Sequence, residues 1–154
     1  MIEMRKTRNL PELLSWRKEV IEHVFGETPG SDLLKANENY YEQQISLGLH
    51  EAFIASFEGK DAGCGAICYS FELPSPDNPS GKCAYLMNIY VREPFRAHGI
   101  GHCIVSHLID EARKSKCGKI YLETTEEGRR VYASLGFRDM KDMMKLYDTE
   151  HQNN

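Results

Sequence analysis

The sequence predicts an α/β fold in which helices cover both faces of one mixed sheet. Its 154 residues suit one domain spanning residues 1–154, and a hydrophobic fraction of 41% suffices for a core. Strand-like and helix-like patterns follow one another in the order β-α-α-β-β-β-α-β-α-β, with an optional short strand around residues 137–140. This mixed order predicts a sheet of roughly six to seven strands with about four flanking helices.

The first third of the chain is predicted to form one strand and two helices. Ile2–Thr7 alternates apolar and polar residues, which indicates a strand. Asn9 is a suitable helix N-cap, because a proline and a glutamate follow in the first turn and apolar residues then recur at helical spacing. Residues 26–30 interrupt the pattern, and a second helix is predicted from near Ser31 to Gly48.

The middle of the chain is predicted to be β-structure. Ala52–Phe57 and Gly63–Phe71 have the composition of strands, and residues 58–61 between them have the composition of a hairpin turn. Residues 73–82 contain three prolines and two serines, which predicts an irregular loop. Cys83–Val91 is the most strand-like run in the chain, because it is rich in Tyr, Ile, Leu and Val.

A helix and a strand are predicted to follow a glycine-bearing turn. Apolar residues from Ile100 to Ala112 recur on one helical face, and the helix is expected to end near Lys116 and Gly118, with cations in its last turn. Ile120–Thr124 then has the pattern of a strand.

The last segment is predicted to form a short helix and a final strand. Thr124 and Glu127 have the spacing of a capping box, and Gly136 stands where a helix C-terminus favours glycine. Met143–Tyr147 is predicted as the last strand, and residues 151–154 as a frayed tail.

Charge and cysteine usage narrow the function classes. A net charge of −4 and a pI near 5.9 argue against a nucleic-acid or membrane-surface partner, which would favour a basic face. No signal-peptide pattern or apolar stretch of membrane-span length is recognised. The odd number of scattered cysteines therefore predicts reduced thiols in a cytoplasmic protein. They are Cys64, Cys68, Cys83, Cys103 and Cys117.

The turn Arg96-x-x-Gly99-x-Gly101 has the features of an anion-binding site. It joins the best strand to an amphipathic helix, and glycines allow the backbone to approach a ligand while the first helical N–H groups lack internal partners. The pattern favours binding of a diphosphate, and therefore predicts a cofactor that contains a nucleotide. It is not the dinucleotide fingerprint, because Ile104 replaces the third glycine, and not a P-loop, because His102 follows Gly101. An ordinary strand-to-helix connection is the alternative.

This turn resembles motif A of the GNAT superfamily of acyl-coenzyme A-dependent N-acetyltransferases. A second segment, residues 131–137, resembles the late helix of that family, in which a tyrosine precedes a Gly-Phe pair by four residues. The two motifs have the order and about the separation found in the family. The resemblance implies a twisted, mostly antiparallel central sheet in which the strands at Tyr85–Val91 and Ile120–Thr124 splay apart.

The resemblance also implies acetyl-coenzyme A as co-substrate and assigns residues to it. Main-chain groups of one strand would pair with the pantetheine arm, and amides of the glycine turn would hold the pyrophosphate. The sequence departs from the family pattern at three positions, because Ala97, His98 and Thr125 differ from the residues that are common there. The implied cofactor-binding residues are Ile89, Tyr90, Val91, Arg96, Ala97, His98, Gly99, Ile100, Gly101, His102 and Thr125.

The candidate catalytic residues are a phenol and a carboxylate. The resemblance implies that Tyr132 points at the thioester sulfur. A phenol there can protonate a thiolate leaving group. A base must deprotonate the amine, and Glu123 is the first candidate and Glu72 the second. Asn88 could orient the acceptor but cannot act as a base. The alternatives are a half-buried core tyrosine and glutamates on the solvated surface.

The acceptor is expected to be a primary amine of a small molecule or peptide. Tyr40 and Tyr41 would form its wall, since the first two helices border the acceptor in this family. Trp16 is predicted to pack in the core, and Arg17 is predicted to be a surface charge. A structural metal at His98 and His102 is disfavoured, because His98 precedes the helix.

Dimers are common in similar proteins, so a homodimer is a possible partner. A non-catalytic acyl-coenzyme A-binding module is the alternative function.

Overall fold

A mixed sheet with strand order β1-β2-β3-β4-β5 forms the centre of the protein. The structure, a computed structural model, describes residues 1–148. Neighbouring strands are antiparallel except β4 and β5, which are parallel. Within the described residues the strands are β1 Ile2–Thr7, β2 His50–Phe57, β3 Lys60–Phe71, β4 Lys82–Val91 and β5 Lys119–Leu122.

Helices cover both faces of this sheet. The Asn9 side chain accepts a hydrogen bond of 2.9 Å from the Glu12 amide, which confirms the predicted N-cap of the first helix. A one-turn 3₁₀ helix, Glu93–Phe95, stands between β4 and the third helix. The α-helices of residues 1–148 are α1 Leu10–Phe25, α2 Ser31–Ser46, α3 Ile100–Lys114 and α4 Glu126–Ser134.

The core has a layer on each side of the sheet. Helix α3 packs on one face through Ile104 and Leu108, both fully buried. Gly65 on β3 permits the close approach, since an added Cβ there would lie 2.6 Å from Ile104 Cγ2. Helix α1 covers the opposite face through Trp16 and Val20. Strand β4 therefore lies between the two layers.

The ladder between β4 and β5 ends before β4 does. It joins Cys83 to Lys119 and stops at Leu86 and Leu122, whereas β4 continues to Val91. The register between β3 and β4 also shifts in this stretch, and Asn88 has a φ of 54°. A bulge of this kind bends a strand and increases its twist. The two strands therefore diverge beyond Leu86, later than the predicted Tyr85.

The predicted number of strands is wrong. Across residues 1–148 the sheet has five strands, and neither Met143–Tyr147 nor residues 137–140 form one. Met144 and Leu146 are 100% and 91% exposed, so their apolar side chains have no sheet face to cover. The run also lacks β-branched residues, which suit a pleated surface best. The predicted tail, residues 151–154, lies outside the described residues.

The N-terminal cap of α4 also differs from the prediction. Thr125, and not Thr124, is the N-cap, and its hydroxyl accepts from the Gly128 amide at 3.4 Å. Thr124 Oγ1 instead donates to the Thr125 carbonyl at 2.7 Å. Along residues 1–148, no helix combines the length and apolar content that a bilayer crossing requires.

Candidate active site

A cleft of about 950 Å³ lies where β4 and β5 diverge. Helices α1 and α2 form one wall, the second half of β4 forms the floor, and the start of α4 forms the opposite wall. The cleft extends from Arg96 and Gly101, at the start of α3, to Tyr40 and Tyr41 on α2. It therefore connects the predicted anion site with the predicted acceptor wall.

The loop before α3 forms a backbone cradle at one end of this cleft. Ala97 and Gly99 have φ values of 67° and 77°, both left-handed. Gly99 is the N-cap of α3, and no side chain caps this end of the helix. The first N–H groups of a helix have no intrahelical acceptor and carry partial positive charge. The cradle thus has the donors that a phosphate group requires.

Three side chains hold this loop from outside. Arg96 Nε donates to the Val91 carbonyl at 3.1 Å. Arg92 donates to both carboxylate oxygens of Glu19 at 2.9 and 3.0 Å, and its guanidinium lies 4.1 Å from the Trp16 ring centroid. His98 stacks on Phe57 with centroids 4.8 Å apart. Arg92 was absent from the sequence prediction, because its role depends on contacts with α1.

The remaining candidates around the cradle differ in exposure. Ile100 is buried under the sheet at 1% exposure, so only its backbone is available to a ligand. His102 is exposed on the first turn of α3. On the floor, Tyr90 faces α1 while Ile89 and Val91 face α3. The hydroxyl of Thr125 caps α4.

Tyr132 projects from α4 into the cleft and is half-buried. Gly128 lies one turn earlier, and an added Cβ there would lie only 2.8 Å from Tyr132 Cε2. The Phe137 ring contacts Tyr132 edge-on, with centroids 6.1 Å apart. Burial raises the pKa of the Tyr132 phenol. The hydroxyl therefore stays protonated at neutral pH and can donate a proton.

The two candidate bases lie in different places. Glu123 follows β5 and lines the cleft, close to Tyr85, whose pKa is raised to about 12 chiefly by burial and also by this carboxylate. Glu72 lies by the start of β4, outside the cleft. There it accepts hydrogen bonds of 3.2 Å from Asn78 and from Lys119, and the Asn78 bond contributes most to lowering its pKa. The structure therefore does not bring Glu72 to the site.

Aromatic side chains form the α2 wall of the cleft. The Tyr40 hydroxyl and His50 Nδ1 share a hydrogen bond of 2.9 Å, and the His50 ring meets Tyr40 and Tyr41 edge-on at centroid distances of 5.2 and 5.4 Å. Burial lowers the pKa of His50 to about 4 and raises that of Tyr41 to about 12. The wall is therefore uncharged at neutral pH. The sequence prediction missed His50, because it began the strand at Ala52, whereas β2 begins at His50.

Arg17 corrects a sequence prediction. It was expected to be a surface charge, but it is half-buried and lines the cleft. Its Nη1 donates to Asn88 Oδ1 at 2.8 Å and its Nε to Asn37 Oδ1 at 3.4 Å. Trp16 is a core residue at 5% exposure, as predicted. Helical spacing alone could not distinguish the two roles, because α2 covers this part of α1 only in the folded protein.

The described residues do not form a metal cluster. In residues 1–148 no group of three or more His, Cys, Asp or Glu side chains is placed to hold a metal ion. The five cysteines are free thiols, and two of them, Cys64 and Cys83, are buried.

Comparison with known proteins identifies this architecture. The model of the acetyltransferase (GNAT) family matches residues 13–137. A predicted acetyltransferase from Clostridium acetobutylicum, whose crystal structure contains acetyl-CoA, is 27% identical, with a TM-score of 0.86 over 98% of this chain and 99% of that one. Glucosamine-6-phosphate N-acetyltransferase from Arabidopsis thaliana shares the fold at 21% identity, with a TM-score of 0.73 over 96% of this chain and 98% of that one.

Curated relatives cover less of the molecule. A probable glucosamine 6-phosphate N-acetyltransferase 2 from Oryza sativa subsp. japonica is 31% identical over 67 residues, which are 44% of this chain and 40% of that protein. Glucosamine 6-phosphate N-acetyltransferase 1 from the same organism is 24% identical over 110 residues, 70% of this chain and 65% of that protein. The matches thus span less than two thirds of either relative.

Proposed function

The chain belongs to the GNAT family of acetyltransferases, and from this premise we propose that it transfers an acetyl group from acetyl-coenzyme A to a primary amine of a small molecule or peptide. The observation that carries the proposal is the cleft beyond Leu86 and Leu122. It joins unpaired helix N–H groups at one end to a protonated phenol and a polar wall at the other. The reaction would be direct attack in a ternary complex, without a covalent enzyme intermediate.

The residues present fit coenzyme A. Backbone amides from Ala97 to His102 would hold the pyrophosphate, because two left-handed residues and an uncapped helix N-terminus leave them accessible. The Arg96 amide, which the resemblance also assigned to this role, donates instead to the Glu93 carbonyl at 3.1 Å. Main-chain groups of β4 from Ile89 to Val91 would bind the pantetheine arm, since the ladder to β5 has ended there. Thr125 would line the cleft only, because its hydroxyl caps α4.

Tyr132 and Glu123 would move the protons. Expulsion of a thiolate requires a proton or a hydrogen bond, and the Tyr132 phenol, which is protonated at neutral pH, can supply either. An alkylammonium with a pKa near ~10.4 must lose a proton before it can attack. Glu123 can accept it directly or through a water. A backbone N–H of β4 between Ile89 and Val91 would polarise the thioester carbonyl.

Glucosamine 6-phosphate is the first acceptor to test. Two curated relatives from Oryza sativa are named as N-acetyltransferases of this amino sugar phosphate. On the α2 wall of the cleft, Tyr40 is half-buried and could contact a sugar or another small amine, whereas Tyr41 and His50 are each only 4% exposed. Other primary amines remain in the proposal, because the identity to these relatives is low.

A thiol-release assay tests the proposal. Purified protein with acetyl-coenzyme A and a panel of amines should release free coenzyme A faster than the same mixture without amine, and mass spectrometry should find the N-acetylated product. If coenzyme A binds in calorimetry but no amine accelerates thiol release, the protein is instead a non-catalytic acyl-coenzyme A-binding module. If coenzyme A does not bind, the site assignment is wrong.

A further inference from the structure

We propose that Arg17 binds an oxyanion of the acceptor, so that the preferred substrate is an amine that also carries a carboxylate or phosphate. This proposal rests on the acetyltransferase function above and specifies its substrate class. Arg17 lies on α1 and lines the cleft between α2 and the bulged part of β4. Its side chain is half-buried, whereas Arg96, the other arginine in the described lining of the cleft, is exposed.

Two amide side chains fix the guanidinium in place. Asn88 accepts from Nη1 at 2.8 Å and Asn37 accepts from Nε at 3.4 Å. Both acceptors are neutral oxygens, so they orient the cation without neutralising it. The N–H groups of Nη2 are used in neither of these bonds. A planar guanidinium with free donors matches the geometry of carboxylate and phosphate groups.

No carboxylate of the described residues forms an ion pair with Arg17. Glu19, two positions along α1, is bound to Arg92. Glu38 on α2 lies 3.4 Å from Lys35 Nζ and lines a different groove. A half-buried cation held only by neutral groups favours an anionic ligand, because a desolvated charge gains most from an opposite one.

The distribution of charge in the cleft suits a zwitterionic acceptor. Glu123, on the α4 side, would attract an ammonium group, whereas Arg17 marks the α1–α2 side. The Tyr40, Tyr41 and His50 side chains, which line the same cleft, carry no charge at neutral pH. An amine with an anion at its other end would therefore be oriented with its nitrogen towards the reacting end. Amino acids and amino sugar phosphates both have this chemistry.

Calorimetry with paired amines tests the proposal without requiring turnover. The protein is saturated with coenzyme A and titrated with glucosamine 6-phosphate or glucosamine, and with β-alanine or β-alaninamide. We expect the anionic member of at least one pair to bind on the order of tenfold to a hundredfold more tightly, the range for hydrogen bonds to a charged group. The pair that shows the preference distinguishes phosphate from carboxylate.

Variants of Arg17 and its neighbour Lys18 show whether Arg17 causes the preference for anionic amines. Arg17→Gln should reduce the preference to about twofold or less, and Arg17→Lys should retain part of it, because charge remains without the planar fork. Lys18→Gln removes the same charge from an exposed position outside the cleft and should leave the preference unchanged. Coenzyme A affinity, measured for each variant, shows that the fold is intact.

Each outcome bears on one proposal separately. Equal binding of charged and neutral members in both pairs, or a preference that survives in Arg17→Gln, overturns the role of Arg17 and leaves acetyl transfer standing. A protein that prefers anionic amines but never acetylates them overturns the proposed function while the binding site stands. If Arg17→Gln loses coenzyme A binding while Arg17→Lys keeps it, the charge of Arg17 supports the fold. That result would overturn its role as a binding residue for the acceptor.

Discussion

Replacing Gly101 with glutamate should abolish coenzyme A binding while stabilising the fold. Gly101 lies in the first turn of α3 and lines the cleft, and its φ is outside the left-handed region. An added Cβ would meet only Val91 Cγ2, at 3.8 Å, which is an ordinary contact. The site therefore accepts a side chain sterically, and the effect on stability can be separated from the effect on binding.

The expected gain in stability follows from the position of Gly101 in the helix. Replacing a helical glycine with a better helix former contributes roughly 0.5–1 kcal/mol. A negative charge in the first turn contributes a further ~0.3–1 kcal/mol through the helix dipole. The free energy of unfolding should thus rise by about 1 kcal/mol, which corresponds to an increase in Tm of roughly 2–4 °C for a domain of this size.

The expected loss in affinity follows from charge. A carboxylate roughly 5 Å from one phosphate charge, at an effective dielectric constant of about 20, is repelled by about 3 kcal/mol. That repulsion alone corresponds to a loss of more than about 100-fold in affinity. The side chain would also occupy space and compete for the same N–H groups. Stability and binding should therefore change in opposite directions.

Calorimetry with coenzyme A and thermal unfolding measure the two effects. Gly101→Gln adds the same bulk without charge and should bind more tightly than Gly101→Glu, whereas Gly101→Ala should stay near the wild type in affinity. If Gly101→Glu binds coenzyme A as the unchanged protein does, the phosphate is not held at the start of α3. A lower Tm in that variant would contradict the stability argument instead.

Three further outcomes are expected. Tyr132→Phe should lower kcat roughly 100-fold and leave the Kd of coenzyme A unchanged, as measured by thiol release and calorimetry; an unchanged kcat would remove the phenol from the mechanism. Glu123→Gln should remove the acidic limb of the pH profile of kcat/KM, and a retained limb would exclude this base. Burial lowers the pKa of His50 to about 4, so between pH 6.5 and 4 the unfolded chain binds a proton that the folded chain does not. The free energy of unfolding should therefore fall by about 3 kcal/mol on acidification across that range, and denaturant titrations should show a smaller fall in His50→Gln.

Local signals account for the elements that sequence reasoning placed correctly. The cap at Asn9, the helical face that begins at Ile100 and the hairpin after Phe57 each depend on residues close together in the chain. The sequence could also place Gly99 and Gly101 at the head of α3, because a strand and a helix with strong patterns enclose them. In these segments the fold and the local preferences agree.

The misplaced residues depend on contacts between distant segments. The sequence predicts Arg17 as a surface charge, because only the packing of α1 against α2 and β4 encloses this residue. The sequence predicts Glu72 as a candidate base of the site. Its bonds to Asn78 and Lys119, which hold it elsewhere, cannot be recognised from the local sequence. Met143–Tyr147 was predicted as a strand from its apolar residues, but within residues 1–148 no strand pairs with it. Periodicity identifies a face of an element and does not identify what that face meets.

Ala97 shows how the cradle can keep its shape without glycine. Its φ of 67° costs a non-glycine residue roughly 1–2 kcal/mol, so other contacts must stabilise the loop. The Arg96 bond to the Val91 carbonyl, the stacking of His98 on Phe57 and the Arg92 anchor supply such contacts on either side of it. Because these side chains act from outside, no side chain caps the start of α3, and its first backbone amides remain available to a ligand. The loop is therefore held in place before a ligand arrives, and coenzyme A binding should require little ordering of the chain.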